Sequence, residues 1–340
     1  MWDFHRGFVG ISLSSSLLVK YVHRWLIYVM GKQYFLATTS LEEFWDPSKP
    51  MLFLGEWCLR FDRQSYWTSL DGRLVCSYIC GMKEAVKTFD SIDVIFEKTL
   101  PIIVSALNSF HNTEYSERYW RIVIGPWLSV YITSVYDRFQ RIRIVLDEHP
   151  NLTTTVLSKK SYLTPIDTED FFNKIRDDLY NLQIYSKILL FIGKDFPSKA
   201  VQNGQSYNDG DFPSRSWKQA LFSNISDLHR YLVVKLVSEP IVFNNSYMPK
   251  QVELKLAVKL FGKLFTTSGM KVRKIQFQYD ADVRKALSRV SLGSDIFYKC
   301  LSSMLFADMP VCFVEGYRSG VEIGKATYPP SARAIFSANG

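Results

Sequence analysis

The sequence predicts an α/β protein, and three observations lead to this class. Two short apolar runs near the N-terminus, Tyr34–Ala37 and Met51–Leu54, each lead into polar residues, as buried parallel strands do. Over 91–110, 116–146 and 171–192 the apolar residues recur at the three-to-four spacing of helices. Strand-like and helix-like runs then alternate towards the C-terminus. This alternation favours a parallel sheet covered by helices.

The first two strands each end in polar and aromatic residues. After the first strand, Thr39 or Ser40 is expected to cap a helical turn in which Glu42 lies near the positive end of the helix dipole. The second strand leads through a glycine into Glu56 and Trp57. Open parallel sheets bind ligands beyond the carboxyl ends of their strands, so these two strand ends are the first candidate site.

Two long helices are predicted next. The first covers 91–110 and contains Pro101, which is expected to kink it. The second begins near Ser116 and extends to about Leu146, with an interruption at Gly125 and Pro126. Turn-rich sequence over 147–170 precedes another helical region over 171–192.

The remainder of the chain alternates between the two element types. A polar loop over 194–216 is the best internal break. Beyond it the sequence predicts helices near 217–236, from Pro249 to about Leu264 and over 294–306, and strands near Ile241–Phe243, Val311–Val314 and Ala334–Phe336.

Composition describes a globular, basic protein. Of its 340 residues, 47% are hydrophobic and 22% charged, which excludes a disordered or collagen-like chain. The net charge of +8 favours an anionic partner, but the basic residues are dispersed and no nucleic-acid module is present, so we predict no nucleic-acid partner. Five scattered cysteines without a CxxC pair indicate reduced thiols in a cytoplasmic protein.

The residues after the first two strands are suited to bind a sugar. Thr38, Thr39 and Glu42 can hydrogen-bond its hydroxyls, and Trp57 can cover its apolar face. Glu56, which directly follows a strand and a glycine, is a candidate catalytic base. The structural alternative is that the carboxylates are solvated turn residues and the indole belongs to the core.

A second cluster surrounds the start of the second long helix. Arg118 and Arg121 lie three residues apart on one helix face, so they can clamp a phosphate or carboxylate at its positive end. His111, in the loop before this helix, is a candidate catalytic acid or base, or else a hydrogen-bonded structural residue. Glu315, at the end of a predicted strand, is either a substrate-binding carboxylate or an ordinary loop residue.

Standard enzyme motifs do not identify the chemistry. The sequence contains no phosphate-binding GxxxxGK[ST] loop, no GxGxxG after a strand, and neither HExxH nor GxSxG. No metal site and no cofactor are therefore predicted.

Five stretches of the sequence carry a resemblance to a known family: Phe35–Trp45, Leu52–Cys58, Leu107–His111, Ser116–Leu128 and Tyr136–Arg138. In their order and spacing they resemble a transferase family encoded among genes for surface-polysaccharide and O-antigen synthesis. The resemblance extends from about residue 34 to the C-terminus and is weak over 140–235.

This resemblance implies a helix-rich, Rossmann-like N-terminal half of a two-domain, GT-B-like glycosyltransferase. Residues 31–330 are expected to form the acceptor-side domain with helical insertions, and residues 331–340 the first strand of a second domain that is absent. Family members begin close to the position of Met30, so residues 1–30 are expected to be an extension that precedes the true translation start. The alternative is an amphipathic helix at a membrane surface.

The function implied is sugar transfer from a nucleotide-sugar co-substrate to a lipid-linked or oligosaccharide acceptor, in O-antigen or lipopolysaccharide synthesis. The protein is expected in the cytoplasm, with peripheral contact at the inner membrane face. The alternative is a non-catalytic fragment or binding module that recognises an acidic glycan or a phospholipid head group.

Overall fold

A computed structural model describes residues 33–201, 228–244, 246–267, 277 and 279–337. The predicted extension over 1–30 lies outside the described residues, as do most of the predicted loop over 194–216 and the first part of the predicted helix near 217–236. Only residues 228–236 of that helix are described, and they are helical.

Four parallel strands form the first sheet, and they confirm the predicted α/β class. They are β1 (Tyr34–Ala37), β2 (Met51–Phe53), β3 (Gly72–Leu74) and β4 (Leu152–Thr153). Their spatial order is β3-β2-β1-β4, with Phe35 level with both Met51 and Thr153. The first four strands of a doubly wound sheet have the same order. In such a sheet β2 and β3 are added on one side of β1 and β4 on the other, so the order of the strands reverses between β1 and β4.

Both faces of this sheet are covered, which explains why its strands are continuously apolar. Leu36 and Leu52 project into the main core with the long helices. Phe35, Met51 and Phe53 alternate to the opposite face, where they pack in a second cluster with aromatic side chains of the following loops.

The connection from β3 to β4 is a helical hairpin. A short helix α1 (Gln64–Trp67) lies between β2 and β3, and the hairpin consists of α2 (Met82–His111) and α3 (Glu117–Glu148). The helix predicted over 91–110 thus begins nine residues earlier. The predicted start of the next helix is confirmed, because Ser116 Oγ accepts a hydrogen bond from the Tyr119 amide.

The predicted interruption at Gly125 and Pro126 is wrong, because α3 continues through both residues. A proline inside a helix costs about 3 kcal/mol through one lost hydrogen bond and a steric clash. Ile124, Trp127 and Leu128 around it are completely buried. Burial of such side chains contributes about 1.5–3 kcal/mol each, which offsets the defect.

Shorter elements complete the part of the chain that packs on the hairpin. They are strand β5 (Val156–Leu157), helices α4 (Thr168–Lys174) and α5 (Asp178–Phe191), and strand β6 (Ser198–Lys199), which pairs with β5. The helical region predicted over 171–192 is therefore two helices. The side chain of Asp177 caps the second one by accepting from the amides of Leu179 and Tyr180.

A third parallel sheet, after the four-stranded sheet and the β5–β6 pair, lies in the C-terminal part. Helix α6 (228–236) precedes β7 (Ile241–Asn244), α7 (Lys250–Lys259), β8 (Leu264–Thr266), α8 (Ala281–Leu287), α9 (Ile296–Asp308), α10 (Tyr317–Thr327) and β9 (Ala334–Ser337). The strand order is β8-β7-β9. The strand predicted near Ala334–Phe336 is confirmed, and it pairs with β7. Its assignment to a separate domain stays a prediction.

Two further boundaries differ from the sequence prediction. The helix predicted from Pro249 to about Leu264 ends at Lys259, because Phe261 and Gly262 adopt positive φ angles, and Leu264 begins β8. The strand predicted over Val311–Val314 is wrong. Its first three residues form a 3-10 turn after Pro310, and the run is apolar because it is buried in the core.

Candidate functional site

The carboxyl edge of the first sheet collects polar and aromatic side chains. Thr38 and Thr39 follow β1, Glu56 and Trp57 follow β2, and Thr154 follows β4. The hydroxyl of Thr154 donates to the carbonyl of Leu36 at 2.6 Å, which ties the ends of β1 and β4 together at the point where the strand order reverses. Ligands of doubly wound sheets bind at this place.

Trp57 is the most prominent side chain at this edge. Its Nε1 donates to the carbonyl of Thr38 at 3.2 Å, and its ring stacks on Tyr185 of α5 with the ring centroids 6.4 Å apart and the planes 10° apart. The side chain remains 38% exposed. Thr38 and Tyr185 thus hold the indole in position, while part of its surface faces solvent.

Glu56 lies next to this indole in a 3-10 turn, Glu56–Cys58, that begins directly after β2. Its side chain is exposed. The turn is anchored by Cys58, which is buried and donates from Sγ to the carbonyl of Ala37 at 3.3 Å. The structure therefore brings two of the predicted site residues, Glu56 and Trp57, together on the rim of the sheet.

Thr38, Thr39 and Glu42 also lie at this edge, but they make internal contacts. The two threonines are buried, and their carbonyls accept from the indoles of Trp57 and Trp45. Glu42 makes a bidentate ion pair with Arg63, with both N–O distances 2.7 Å. This pairing lowers the pKa of the Glu42 carboxyl. All three residues hold the loops around the indole in position.

The expected cap of the turn after β1 is wrong, because Leu41 is the N-cap residue of the turn Glu42–Phe44 and no side chain caps it. Thr39 Oγ1 accepts from the Leu41 amide at 3.2 Å, before the turn begins. The Ser40 hydroxyl donates to the carboxylate of Asp178 at 2.5 Å. Asp178 is the first residue of α5, so this hydrogen bond connects the edge of the sheet to that helix.

Two arginines of α3 reach the same edge, and sequence reasoning missed them as site residues. Arg141 lies with its Cζ 5.0 Å from the centroid of the Trp57 ring and 5.5 Å from that of the Tyr78 ring. Arg138 lies 5.8 Å from the centroid of the Tyr185 ring. Their spacing of three residues was a usable signal, because it places both on one helix face.

Partners within the protein orient both guanidinium groups. Asp137 accepts from Arg141 Nε at 2.9 and 3.1 Å, and it also accepts from the Tyr78 hydroxyl at 3.3 Å. Arg138 donates to the side-chain oxygen of Asn181 and to the carbonyl of Ser134. Asp137 and Arg141 thus form an ion pair one turn apart on α3.

A small pocket opens beside these groups, between the ends of β2 and β3 and helix α3. Its cavity volume is about 10 Å³, and its lining residues are Leu54, Val75, Cys76, Tyr78, Arg141 and Ile144. Leu54 and Val75 form an apolar floor. Arg141, the Tyr78 ring and the exposed thiol of Cys76 provide the polar and reactive groups.

The second predicted cluster lies far from this edge. Arg118 and Arg121 are in the first turns of α3, and 20 residues of helix separate Arg121 from Arg141. At 1.5 Å per residue this is about 30 Å. The side chain of Arg121 is bound by Glu97 and Glu117, at 2.6 and 2.9 Å, whereas Arg118 is exposed. The two clusters therefore do not form one site.

His111 belongs to this distant cluster and is not a loop residue. It is the last residue of α2, it is 4% exposed, and its Nε2 lies 3.0 Å from the carbonyl oxygen of Phe313. Its ring packs against Trp120 and Tyr317. Burial lowers the pKa of His111. These contacts join the tip of the hairpin to the 3-10 turn Val311–Phe313.

Glu315 likewise has internal partners. Its carboxylate binds Arg284 at 2.6 and 2.8 Å and accepts from the Asp280 amide at 3.0 Å. The Arg284 side chain is 1% exposed. The pKa of the Glu315 carboxyl is lowered, because these hydrogen bonds outweigh the opposing effect of burial. Glu315 thus connects α8 to the start of α10.

Within the described residues no group of three or more His, Cys, Asp or Glu side chains is placed to hold a metal ion. None of the helices in the described part of the chain is both long and apolar enough to cross a membrane.

Comparison with known proteins identifies the family. The model of the LIC12162 family transferases matches residues 34–340, which include all three described parallel sheets. No curated protein and no solved structure matches the chain. The predicted resemblance to a transferase family is thereby confirmed, while the O-antigen context and the two-domain arrangement stay predictions. The chain belongs to the LIC12162 family of transferases.

Proposed function

We propose that this transferase is a glycosyltransferase of bacterial surface-polysaccharide synthesis. It moves a sugar from a nucleotide-activated donor to a hydroxyl group of a lipid-linked or oligosaccharide acceptor. The observation that carries the proposal is the half-exposed indole of Trp57 next to the exposed carboxylate of Glu56, at the carboxyl edge of a parallel sheet. An indole face suits the apolar face of a sugar ring, and a carboxylate suits its hydroxyl groups.

In the proposed reaction Glu56 is the general base. Its carboxylate takes the proton from the acceptor hydroxyl, and the oxygen forms a bond to the anomeric carbon of the donor sugar. The bond from that carbon to the phosphate oxygen breaks, and the electron pair leaves with the nucleoside diphosphate. Trp57 holds the acceptor ring so that its hydroxyl faces Glu56.

The proposal includes a GT-B-like arrangement of two domains. The sheet β3-β2-β1-β4 would belong to the acceptor side, and a second domain would bind the nucleotide-sugar. The order of the strands and the resemblance of the sequence to two-domain glycosyltransferases support this arrangement. A lipid-linked acceptor would bring the protein to the cytoplasmic face of the inner membrane.

The test measures nucleotide release from a panel of nucleotide-sugars in the presence of polysaccharide and lipid-linked acceptors. With the donor that is turned over, Glu56→Gln is expected to lower kcat by about 10²–10⁴-fold, because the acceptor hydroxyl loses its base. Trp57→Ala is expected to raise the KM for the acceptor, because the stacking surface is removed.

Glu43→Gln is the matched control. Glu43 is also an exposed glutamate in a 3-10 turn that follows a strand, so its replacement is expected to leave kcat unchanged. Wild-type kcat in Glu56→Gln would remove Glu56 from the reaction. Binding of a glycan without release of nucleotide from any donor would contradict the transferase proposal and favour a binding module.

A further inference from the structure

We propose that the diphosphate group of the substrate binds at the mouth of the pocket between β2, β3 and α3, with Arg141 as the main residue that holds it. The inference rests on the proposed function in one respect: glycosyl transfer of this kind uses diphosphates in the nucleotide-sugar donor and in lipid-linked acceptors. It assigns to Arg141 a role that the sequence alone suggested for Arg118 and Arg121.

The hydrogen bonds of Arg141 leave part of its guanidinium group available. Asp137 accepts from Nε, and within the part of the chain that the structure describes no hydrogen bond engages either Nη atom. The side chain is 18% exposed. Two parallel N–H donors on one guanidinium edge match two phosphate oxygens, which is the bidentate geometry that favours arginine at phosphate sites.

The local charge also favours an anion. Arg138 stands one helical turn before Arg141, and its hydrogen-bond partners, Asn181 and the Ser134 carbonyl, are uncharged. Asp137 is the carboxylate in contact with Arg141. Two guanidinium groups thus stand beside one contacting carboxylate, and at short range this excess of positive charge attracts phosphate.

The walls of the pocket hold Arg141 in place before a ligand binds. Its guanidinium lies near the rings of Trp57 and Tyr78, at 5.0 and 5.5 Å. Such contacts restrict the plane of the group. Burial raises the pKa of Tyr78, so its hydroxyl keeps its proton and donates to Asp137, which orients the same carboxylate that binds Arg141.

The pocket is small, with a cavity volume of about 10 Å³, which is room for about one water molecule. The phosphate groups therefore bind at its mouth, against the guanidinium group of Arg141. The remainder of the substrate extends along the open carboxyl edge towards Trp57 and Glu56.

Cys76 provides a direct reporter, because its thiol is exposed and lines the same pocket. Burial raises the pKa of Cys58, Cys300 and Cys312 to about 12, which makes these thiols unreactive at neutral pH. In a Cys80→Ser background, iodoacetamide therefore modifies Cys76 selectively, and the modification rate reports on occupancy of the pocket.

The experiment measures this rate with inorganic pyrophosphate, uridine diphosphate and farnesyl diphosphate, at constant ionic strength. Each is expected to slow the modification about tenfold at ten times its Kd, because bound ligand covers the thiol. Stronger protection by uridine diphosphate assigns the pocket to the donor, and stronger protection by farnesyl diphosphate assigns it to a lipid-linked acceptor.

Arg141→Met is expected to abolish protection, whereas Arg143→Met is the matched control. Arg143 is exposed and lies two residues further along α3, so it does not share the face of Arg141. Lack of protection by all three diphosphates, or equal protection in wild type and Arg141→Met, would overturn the inference. The measurement needs no turnover, so it fails or succeeds independently of glycosyl transfer.

Discussion

At the scale of single residues, several side chains with the chemistry of ligand groups are bound by partners inside the protein. Glu42 pairs with Arg63, and Glu315 pairs with Arg284. The Glu42 pair is solvent-exposed, so water screens it and its contribution to stability is small. Arg284 is buried, so the loss of Glu315 would leave a charge without its partner in the interior. Residue type alone does not distinguish such pairs from substrate ligands.

His111 shows a related effect, because its burial links stability to pH. Burial lowers the pKa of His111 in the folded state below the value of about 6.5 expected in the unfolded chain. Between these two values the unfolded chain binds more protons, so the free energy of unfolding falls as pH decreases. The contribution is complete above about pH 6.5 and is lost as pH falls through the folded-state pKa.

We predict that His111→Gln reduces this pH dependence. Glutamine can donate to the Phe313 carbonyl as the imidazole does, but it does not titrate. Urea denaturation at pH 7.5 and pH 5 measures the effect, and the difference between the two midpoints is expected to be smaller in the variant. An equal difference in both proteins would mean that His111 does not carry the linkage.

At the scale of elements, the turn after β2 depends on Gly55. A Cβ built on this residue would lie 1.9 Å from the ring atom Cζ3 of Trp57, closer than atoms can approach. The backbone of Gly55 is extended, with φ −171°, so the requirement for glycine is steric and not conformational. The absence of a side chain lets the indole fold back over the turn and reach the Thr38 carbonyl.

We predict that Gly55→Ala displaces the indole and destabilises the protein by about 1–3 kcal/mol, as overpacking does. A double-mutant cycle measured by urea denaturation checks the cause. In a Trp57→Ala background the same glycine substitution is expected to cost less than about 0.5 kcal/mol, because the clashing ring is absent. The same cost in both backgrounds would assign the strain to another contact.

The length of α3 explains the separation of the two arginine pairs. The helix has 32 residues, so its two ends are nearly 50 Å apart at 1.5 Å per residue. Arg118 and Arg121 lie near its start, at the tip of the hairpin, while Arg138 and Arg141 lie where the helix packs beside the sheet. Both pairs have the same spacing, so helical periodicity did not distinguish them.

At the scale of the whole molecule, one buried charge connects three helices. Asp308 at the end of α9 is completely buried, and it binds Lys187 of α5 and the Tyr131 hydroxyl of α3, the latter at 2.8 Å. Gln183 of α5 lies within 3.4 Å. A buried carboxylate without partners would destabilise the folded protein. This set of contacts therefore specifies how α9 docks on the hairpin.

We predict that Asp308→Ala lowers the free energy of unfolding by about 3 kcal/mol, because Lys187 and the Tyr131 hydroxyl lose their common partner. Asp308→Asn keeps an acceptor for both and is expected to cost less. Urea denaturation of the two variants makes the comparison. If alanine and asparagine cost the same, the contacts of the carboxylate do not stabilise the docking of α9.

The sequence alone predicted the class of the fold and the order of most elements. Continuous apolar runs identified β1 and β2, and helical periodicity identified the hairpin, because these patterns are local. The two-residue strands β4, β5 and β6 are too short to show a pattern. The segment Val311–Val314 is apolar because it is buried by tertiary contacts, so its sequence resembles that of a strand although its first three residues form a 3-10 turn.

For the candidate site, the sequence by itself determined that Glu56 and Trp57 follow a strand and that arginines three residues apart lie on one helix face. Only the tertiary structure decided which pair meets the sheet, since that depends on where a 32-residue helix packs. The tertiary structure also places Tyr78 and Tyr185 at the candidate site, although both are distant in sequence from Trp57. The physical reason is that local patterns report the burial of a face, while the choice of partners depends on the packing of distant segments.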